Sequence, residues 1–235
     1  MVQDIAQFDF AGIDFAFFSA GREVSKQYVP IATAAGAVVI DNTSEFRYEH
    51  DVPLIIPEIN AASLAGDLPR NIIANPNCST IQMLLALYPI QERVGIKRIQ
   101  VATYQSVSGA GRDGIEELAR QTATLLNGQE AQVQSLPHQI AFNIIPQIDA
   151  IEENGYSREE MKMVLETQKI FNDPSLLVNA TAVRVPVFYG HGMAVSIETV
   201  EPIECDEVAA LMKDTVGLSY LEKDYPMPVT HAANQ

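Results

Sequence analysis

The chain has 235 residues, 47% of them apolar and 19% charged, with a formal net charge of −15. This length can bury a core in one large or two modest domains, and the composition is typical of a globular protein. The negative charge argues against nucleic acid or an anionic membrane as partner, because both bind positive surfaces. No apolar run approaches the ~20 residues of a membrane-spanning helix, and a signal peptide is not predicted either.

Cys78 and Cys205 are the only cysteines. Two cysteines in a chain of this size do not form a disulfide framework, so we expect both thiols to be free. This favours a reducing compartment, and we predict a cytoplasmic location. No metal site is predicted.

The first third of the chain alternates strand-like and helical segments. The predicted elements are strands at 13–21, 37–44, 53–59 and 71–77 and a helix at 23–36 that ends in a glycine. Apolar strands that alternate with helices indicate a parallel sheet covered on both faces. Small or polar residues end three of these strands, and in open α/β sheets the ligand crevice lies at such carboxyl ends.

From Ser79 onward the pattern changes to longer elements. The predicted elements are helices at 79–94, about 112–126, 157–171 and 205–217, a long strand at 96–108, and one or two long antiparallel strands within 177–203. Ser157 is the expected N-cap of the third of these helices. The change near Cys78 predicts two domains: a parallel α/β part at 1–77 and an α+β part with a larger sheet at 78–235.

The segment 75–80 (NPNCST) places Cys78 where a strand ends and a helix begins. Unpaired N–H groups and the positive end of the helix dipole favour thiolate there, and they would offer two or three donors to an oxyanion. A small cysteine that only packs is an alternative of equal weight. Cys205 lies between acidic residues, which disfavour thiolate, so a structural role is favoured for it.

Four histidines could serve as the base for a cysteine nucleophile. His50 and His231 lie in polar segments without evident companions, and His138 opens a strand-like run. His191 lies between glycines in RVPVFYGHG, on the strand-like run that carries Arg184. Alone, a histidine there is more often structural, but beside a cysteine nucleophile His191 becomes the candidate general base.

A glycine-rich motif at 109–114 (GAGRDG) satisfies the nominal dinucleotide-binding pattern. It lacks the acidic ribose ligand at the end of a following strand, and it lies beyond the α/β part. We therefore interpret it as an active-site loop whose glycines let a ligand approach the backbone closely.

The motifs NPNCST, TYQSVSGAG and RVPVFYGHG, in this order and spacing, resemble the aspartate-β-semialdehyde dehydrogenase family along nearly the whole chain. The segments FFSAG, IDNTSEFRYEHDVPLIIPEIN and NGYSREEMKMVLETQKIF strengthen the resemblance. It implies an α/β fold: a partial Rossmann-type parallel sheet that binds NADP, at 1–77, and an α+β catalytic and dimerisation domain of the glyceraldehyde-3-phosphate dehydrogenase type, at 78–235. It also implies a homodimer.

The resemblance assigns roles to individual residues by matching position. Cys78 would be the nucleophile, His191 the acid–base group and Gln105 the residue that orients the acyl group. The implied substrate-binding residues are Arg184 for the carboxylate, Glu159 for the ammonium group, Arg47 and Lys162 for phosphate, and Asn77. The implied cofactor-binding residues are Ser19, Ala20, Gly21, Ser108 and Gly109. For Glu159 and Lys162, three residues apart on a helix, the alternative is an ordinary surface pair. For Arg47 the alternative is that it only balances the charge of Glu45 and Glu49.

The implied reaction is the reduction of β-aspartyl phosphate to aspartate semialdehyde and phosphate, through a thioester on Cys78, in lysine, threonine and methionine biosynthesis. One alternative is N-acetyl-γ-glutamyl-phosphate reductase, whose cysteine tends to follow Gly and precede an aromatic residue, unlike Asn77 and Ser79 here. A second is a Cys–His hydrolase, against which counts the lack of a recognisable orienting residue. A third is a truncated dimerisation module without activity.

The chain departs from the family pattern at both ends. Nothing matches the opening strand and turn, G-x-T/S-G-x-V-G, that receives the cofactor pyrophosphate, or the final segment with a further strand and helix. We therefore expect the chain to be a fragment with weak cofactor binding. A smaller departure is Gly192, where Ser often follows the histidine. The choice of NADP over NAD depends on the resemblance alone.

Overall fold

The structure, a computed structural model, describes residues 2–232. By packing, the chain divides into two compact units. The first holds the chain up to Tyr88 together with Leu165–Ser175, and the second holds Pro89–Val164 and the chain from Leu176 onward. The sequence predicts a single boundary between 77 and 78. Packing instead extends the first unit to Tyr88 and assigns a later helical segment to it.

The first unit contains a three-stranded parallel sheet in the order β1-β2-β3. Its elements are β1 (Phe15–Phe18), α1 (Arg22–Ala34), β2 (Val38–Asp41), α2 (Pro57–Asn60), β3 (Ile72–Ala74) and most of α3 (Cys78–Val94). The register runs from Phe15 opposite Val38 and from Val39 opposite Ile72. The predicted parallel α/β part is confirmed. The predicted glycine after α1 is Gly36, whose φ of +99° few other residues adopt.

Two predictions for this unit are wrong. The strand predicted at 53–59 is a single bridge from Leu54 to Ala74, and α2 begins at Pro57, because proline suits the first position of a helix. The sheet is also not covered on both faces, since Phe15 is 62% exposed and Phe17 is 78% exposed. Apolar composition alone did not show which strand would lie at the edge.

The second unit contains a sheet in the order β5-β4-β6. Its elements are the end of α3, β4 (Ile96–Gln105), α4 (Gly111–Leu126), the first half of α5 (Arg158–Ile170), β5 (Leu177–Arg184), β6 (Gly192–Thr199) and α6 (Cys205–Asp214). β4 is parallel to β5 and antiparallel to β6. The two strands predicted within 177–203 therefore exist, but they flank β4 instead of pairing with each other.

Other boundaries shift by a few residues. The strand predicted at 96–108 ends at Gln105, where a short 3₁₀ turn (Val107–Ala110) leads into α4. The sheet has as many strands among the described residues as the first one, so it is larger only in strand length. The predicted cap of α5 is confirmed, because Ser157 Oγ accepts from Glu160 N–H and Glu160 accepts from Ser157 N–H.

Candidate active site

The carboxyl ends of the first unit's strands are joined by side chains. Asn42, after β2, donates from Nδ2 to Ser19 Oγ at 3.1 Å and accepts on Oδ1 from Asn75 Nδ2 at 2.7 Å. Ser19 follows β1 and Asn75 follows β3. The polar residues at the three strand ends thus meet at one edge of the sheet, as the sequence predicts.

The residues proposed for the cofactor in this unit form the turn Ser19–Gly21, which is exposed. Gly21 has a φ of +105° and directly precedes the first residue of α1, Arg22. A strand-to-helix turn without a side chain at this point leaves the backbone N–H groups of the helix start accessible, which suits a phosphate group. Ser19 and Ala20 also line an apolar pocket with Phe8 and Phe17.

Cys78 is exposed and is the first residue of α3. Asn77 before it is buried, and its Oδ1 accepts from Ser79 N–H at 2.9 Å and from Thr80 N–H at 3.3 Å. This arrangement caps the helix. It also corrects the expectation of two or three free N–H donors beside an oxyanion, because Asn77 occupies two of them.

Arg47 is buried, and its guanidinium binds the protein itself. Nη1 donates to Glu166 Oε1 at 2.9 Å, and Nη2 donates to the Asn42 carbonyl at 2.9 Å. The Nε of Arg47 is buried without a hydrogen-bond partner among the described atoms. The carboxylate that pairs with Arg47 is thus the buried Glu166, which is distant in sequence, and not the neighbouring Glu45 or Glu49 of the alternative interpretation. The proposed contact of Arg47 with phosphate stays a prediction.

In the second unit, a chain of polar contacts begins at Gln105, the last residue of β4. Gln105 Nε2 donates to Glu159 Oε1 at 3.2 Å, and Glu159 Oε2 accepts from Lys162 Nζ at 3.2 Å. Lys162 also binds Asp149 Oδ2 at 3.1 Å. Gln105 and Glu159 are buried, so the pair of Glu159 and Lys162 is not an ordinary surface pair.

Asp149 was not predicted from the sequence, although it is the last residue in this series of polar contacts. It has a φ of +69°, which an aspartate adopts only occasionally. Burial raises the pKa of Asp149, but the Ala150 N–H and the Lys162 ammonium outweigh burial and leave that pKa lowered. Asp149 and Arg184 also line one pocket of this unit with Ala110.

Ser106 links the two residues proposed for acid–base chemistry and carboxylate binding. Its N–H donates to His191 Nδ1 at 3.1 Å, and its carbonyl accepts from Arg184 Nη1 at 2.9 Å. Its hydroxyl lies 2.8 Å from Ser108 Oγ and 3.2 Å from His191 Nδ1. Because Nδ1 accepts the Ser106 N–H, a neutral His191 ring carries its proton on Nε2.

The proximity of His191 and Arg184 depends on Gly109. A Cβ at this glycine would lie 2.8 Å from Arg184 Nη1 and 3.6 Å from the His191 ring. The absence of a side chain at Gly109 therefore leaves room for the guanidinium of Arg184. Burial lowers the pKa of His191, the positive charge of Arg184 lowers it further, and the Gly190 carbonyl and Glu159 act in the opposite direction.

The structure thus assembles the predicted site residues in groups, each described within its own unit. Asn77 and Arg47 meet at Glu166 in the first unit. In the second unit, one group is formed by Gln105, Glu159 and Lys162, and another by His191, Arg184, Ser108 and Gly109. Sequence reasoning missed Ser106, Asp149 and Glu166, although Ser106 lies inside the motif TYQSVSGAG.

Two searches of the described residues gave negative results. No group of three or more His, Cys, Asp or Glu residues among residues 2–232 is arranged to hold a metal ion. Within the same part of the chain, no helix has the length and apolar character needed to cross a membrane.

Two family models match the chain. The model described as semialdehyde dehydrogenase, NAD binding domain, matches residues 1–66, and the one described as semialdehyde dehydrogenase, dimerisation domain, matches residues 87–235. Together they follow the order of the two parts predicted from the sequence.

Curated relatives and solved structures agree with these matches. The chain is 57% identical to aspartate-semialdehyde dehydrogenase 2 of Vibrio cholerae over all of its own length and 70% of that protein. It is 48% identical to aspartate-semialdehyde dehydrogenase of Aquifex aeolicus, over 94% of this chain and 66% of that one. The structure of aspartate semialdehyde dehydrogenase II from Vibrio cholerae complexed with ASA has a TM-score of 0.97 at 56% identity, covering 99% of this chain and 70% of that one.

Proposed function

Because the chain belongs to the aspartate-semialdehyde dehydrogenase family, we propose that it catalyses the NADPH-dependent reduction of β-aspartyl phosphate to aspartate semialdehyde and phosphate. Relatives bearing that name match all or nearly all of the chain. The observation that carries the proposal is that the second unit holds His191 and Arg184 on one serine, Ser106, beside the buried Gln105. A proton-transfer group, an anion ligand and an amide are what the reaction requires.

Cys78 is the proposed nucleophile, since it is exposed at the first position of a capped helix. Its thiolate attacks the acyl carbon of β-aspartyl phosphate, the bond to the phosphate oxygen breaks, and a thioester remains on Cys78. Reduction of the thioester yields the aldehyde and returns the thiolate. Forming a thioester divides a difficult reduction into two steps that are each easier.

His191 is the proposed acid–base group. In its neutral form, with Nδ1 accepting from Ser106, it presents the Nε2 proton to the oxygen that develops negative charge during reduction. Gln105 orients the acyl group, and its buried amide is held by Glu159 for this purpose. The sequence predicts His191 as the base, and the hydrogen bond from Ser106 adds that its neutral ring donates through Nε2.

The substrate's charged groups have matching partners among the buried and half-buried residues. Arg184 offers its guanidinium to the carboxylate, and a bidentate pair of this kind is strong and directional. Glu159 meets the ammonium group. Arg47 and Lys162 are the proposed phosphate ligands, and Asn77 is a further proposed substrate-binding residue. Each of these residues already lies in an ion pair or hydrogen bond, so substrate groups would replace or extend existing contacts.

NADP is the proposed cofactor, and its reduced form, NADPH, would supply the two electrons of the reduction as hydride. Ser19, Ala20 and Gly21 fit its phosphates, because their turn is exposed and opens onto the start of α1. Ser108 and Gly109 are proposed to lie along it. A solved structure of aspartate semialdehyde dehydrogenase with NADP from Candida albicans is 26% identical to this chain with a TM-score of 0.61.

We further propose a homodimer, formed through one face of the sheet β5-β4-β6. Residues that are paired across the three strands are exposed on this face; they are Arg98, Gln100, Tyr104, Leu177, Asn179, Thr181, Ala194, Ser196 and Glu198. The matched model is named a dimerisation domain. Sedimentation of Thr181→Arg should show a smaller particle than the parent chain, whereas the exposed Val216→Arg, on another part of the unit, should not.

The enzyme assay is phosphate-dependent reduction of NADP with aspartate semialdehyde, the reverse of the biosynthetic direction. We expect turnover that requires both phosphate and NADP, and much slower turnover with N-acetylglutamate semialdehyde, which is longer and lacks the free ammonium group. Turnover that ignores phosphate, or that favours the longer substrate, would contradict the proposal. The reaction belongs to lysine, threonine and methionine biosynthesis, and we expect it in the cytoplasm, where both thiols stay reduced.

A further inference from the structure

The second half of α5 carries a fully buried carboxylate that none of the proposed chemical steps uses. Glu166 is 0% exposed. Its Oε1 accepts from Arg47 Nη1 at 2.9 Å, and its Oε2 accepts from the backbone N–H of Asn77 at 2.6 Å. A charge this deeply buried is costly unless it is paired and hydrogen-bonded, and Glu166 is both.

The contact with Asn77 bears directly on the nucleophile. Asn77 is the residue before Cys78, and its side chain caps α3 through Ser79 and Thr80. The peptide that Glu166 holds therefore fixes the residue from which the helix starts. Since Cys78 is the first residue of that helix, the position of its thiol depends on this peptide.

The contact with Arg47 ties a second proposed site residue to the same carboxylate. One oxygen of Glu166 holds the guanidinium and the other holds the peptide before the thiol. Arg47 also donates to the Asn42 carbonyl, next to the joined strand ends. A single buried carboxylate thus connects the phosphate-binding candidate with the nucleophile turn, entirely within the first unit.

One turn further along α5, Lys169 provides a natural comparison. Its Nζ donates to three carbonyls of the segment after β2: Arg47 at 2.8 Å, Glu49 at 2.7 Å and Val52 at 2.9 Å. Lys169 therefore holds the backbone of Arg47, whereas Glu166 holds the peptide of Asn77. Losing Lys169 loosens the same segment and leaves the bond from Glu166 to the nucleophile turn in place.

We propose that Glu166 is a positioning residue that holds the Asn77 peptide, and through it the thiol of Cys78, in register with the guanidinium of Arg47. The part that concerns phosphate rests on the proposed function, whereas the part that concerns the thiol does not. Glu166 also keeps a negative charge beside the nucleophile turn, which opposes thiolate formation and is balanced by Arg47. Arg47 faces Glu166, while Glu49 and Asp51 face Lys169.

The first experiment measures alkylation of Cys78 by iodoacetamide across a pH series, followed by peptide mapping, in the full chain without substrate. Glu166→Gln keeps the size of the side chain and removes its charge. Because the opposing charge is gone, the midpoint of the profile should move to lower pH by roughly one unit. Lys169→Met should leave the midpoint where it is in the parent chain. Equal midpoints in the parent chain and a folded Glu166→Gln protein would overturn the proposal.

The second experiment separates positioning from charge. Glu166→Asp keeps the charge but retracts the carboxylate by one methylene, so the alkylation midpoint should stay close to that of the parent chain. The kcat for phosphate-dependent turnover should fall roughly tenfold to a hundredfold, as for other small displacements of reacting groups. An unchanged kcat in Glu166→Asp would overturn the proposal. If Glu166→Gln does not fold, the kcat of Glu166→Asp is the test of the proposal. A parent chain with normal alkylation but no turnover would contradict the proposed function alone.

Discussion

Helix α5 carries two pairs of one glutamate and one lysine, and the two pairs differ in what they bind. Glu159 with Lys162 and Glu166 with Lys169 each have a spacing of three residues, and the pairs are seven residues apart, so they repeat on one helix face. In the second unit, the first pair binds side chains, those of Gln105 and Asp149. In the first unit, the second pair binds mostly backbone: one N–H and three carbonyls.

This difference indicates how a helix can serve fixed and exchangeable parts of a site. A side-chain partner can rotate away when a substrate group takes its place, whereas a backbone partner cannot leave without moving the chain. We therefore expect changes to the second pair to act on stability and on the geometry of the nucleophile. Changes to the first pair should act on substrate affinity. The following predictions test this division, beginning with the thiol that the fixed part presents.

The largest effect is expected for Cys78→Ser. A serine hydroxyl is far less ionised than a thiol, so the acyl-enzyme step should be nearly abolished and kcat/KM should fall by roughly 10⁴-fold or more. Cys205→Ser is the matched control, because Cys205 is also exposed and lies at the start of α6, between acidic residues. Phosphate-dependent turnover checks both variants. A similar loss of kcat/KM in both variants would contradict the assignment of Cys78 as the nucleophile.

Lys169→Met should destabilise the chain more than Lys162→Met does. Three carbonyls would lose a charged donor in a half-buried site, which we expect to lower the free energy of unfolding by about 3 kcal/mol. Lys162→Met should lower it by less, about 1 to 2 kcal/mol, because both carboxylates that it pairs with keep another donor, Gln105 for Glu159 and Arg158 for Asp149. Urea unfolding compares the two. Equal losses in the free energy of unfolding would contradict the expected difference between a lysine bound to backbone and one bound to side chains.

Glu159→Gln should act on substrate affinity. The amide keeps the contact with Gln105 but cannot pair with an ammonium group, so KM for aspartate semialdehyde should rise about tenfold to a hundredfold, or about 2 kcal/mol. The free energy of unfolding should change little. Glu153→Gln, on an exposed residue shortly before α5, is the control. If Glu159→Gln left KM unchanged and destabilised the chain instead, the two pairs would not differ in kind.

The sequence predicts much of the fold because periodicity and caps are local. Strand–helix alternation gives the parallel sheet, and Ser157 gives the start of α5. Strand order in the second sheet is not local: β4 lies between β5 and β6, and nothing in 177–203 indicates the partner of either strand. The edge position of β1, with its exposed phenylalanines, is equally a property of the whole sheet.

The candidate site divides in the same way. Cys78 and His191 are predicted from their neighbours in sequence, the first from a strand-to-helix junction and the second from flanking glycines. Glu166 lies 89 residues from the peptide that it binds and 119 from Arg47. A glutamate within an amphipathic helix resembles any solvent-facing residue until the fold buries it. Residues that hold others in place were therefore missed, whereas the residues proposed to carry the chemistry have a local signal in the sequence.

The smallest effect concerns the ionisation of His191, in the second unit. Burial and the nearby Arg184 lower its pKa in the folded chain from the usual value of about 6.5. Between the lowered pKa and about 6.5, the unfolded chain binds a proton that the folded chain does not, so acid favours unfolding. The contribution of His191 to stability is therefore present above about pH 6.5 and is lost as pH falls through the folded pKa.

His191→Asn should remove this part of the pH dependence in urea unfolding. His50→Asn, at an exposed histidine of the first unit, is the matched control. If His191→Asn and the parent chain lose stability in parallel as pH falls, the imidazole is not held neutral, and the proton on Nε2 proposed for catalysis loses its support.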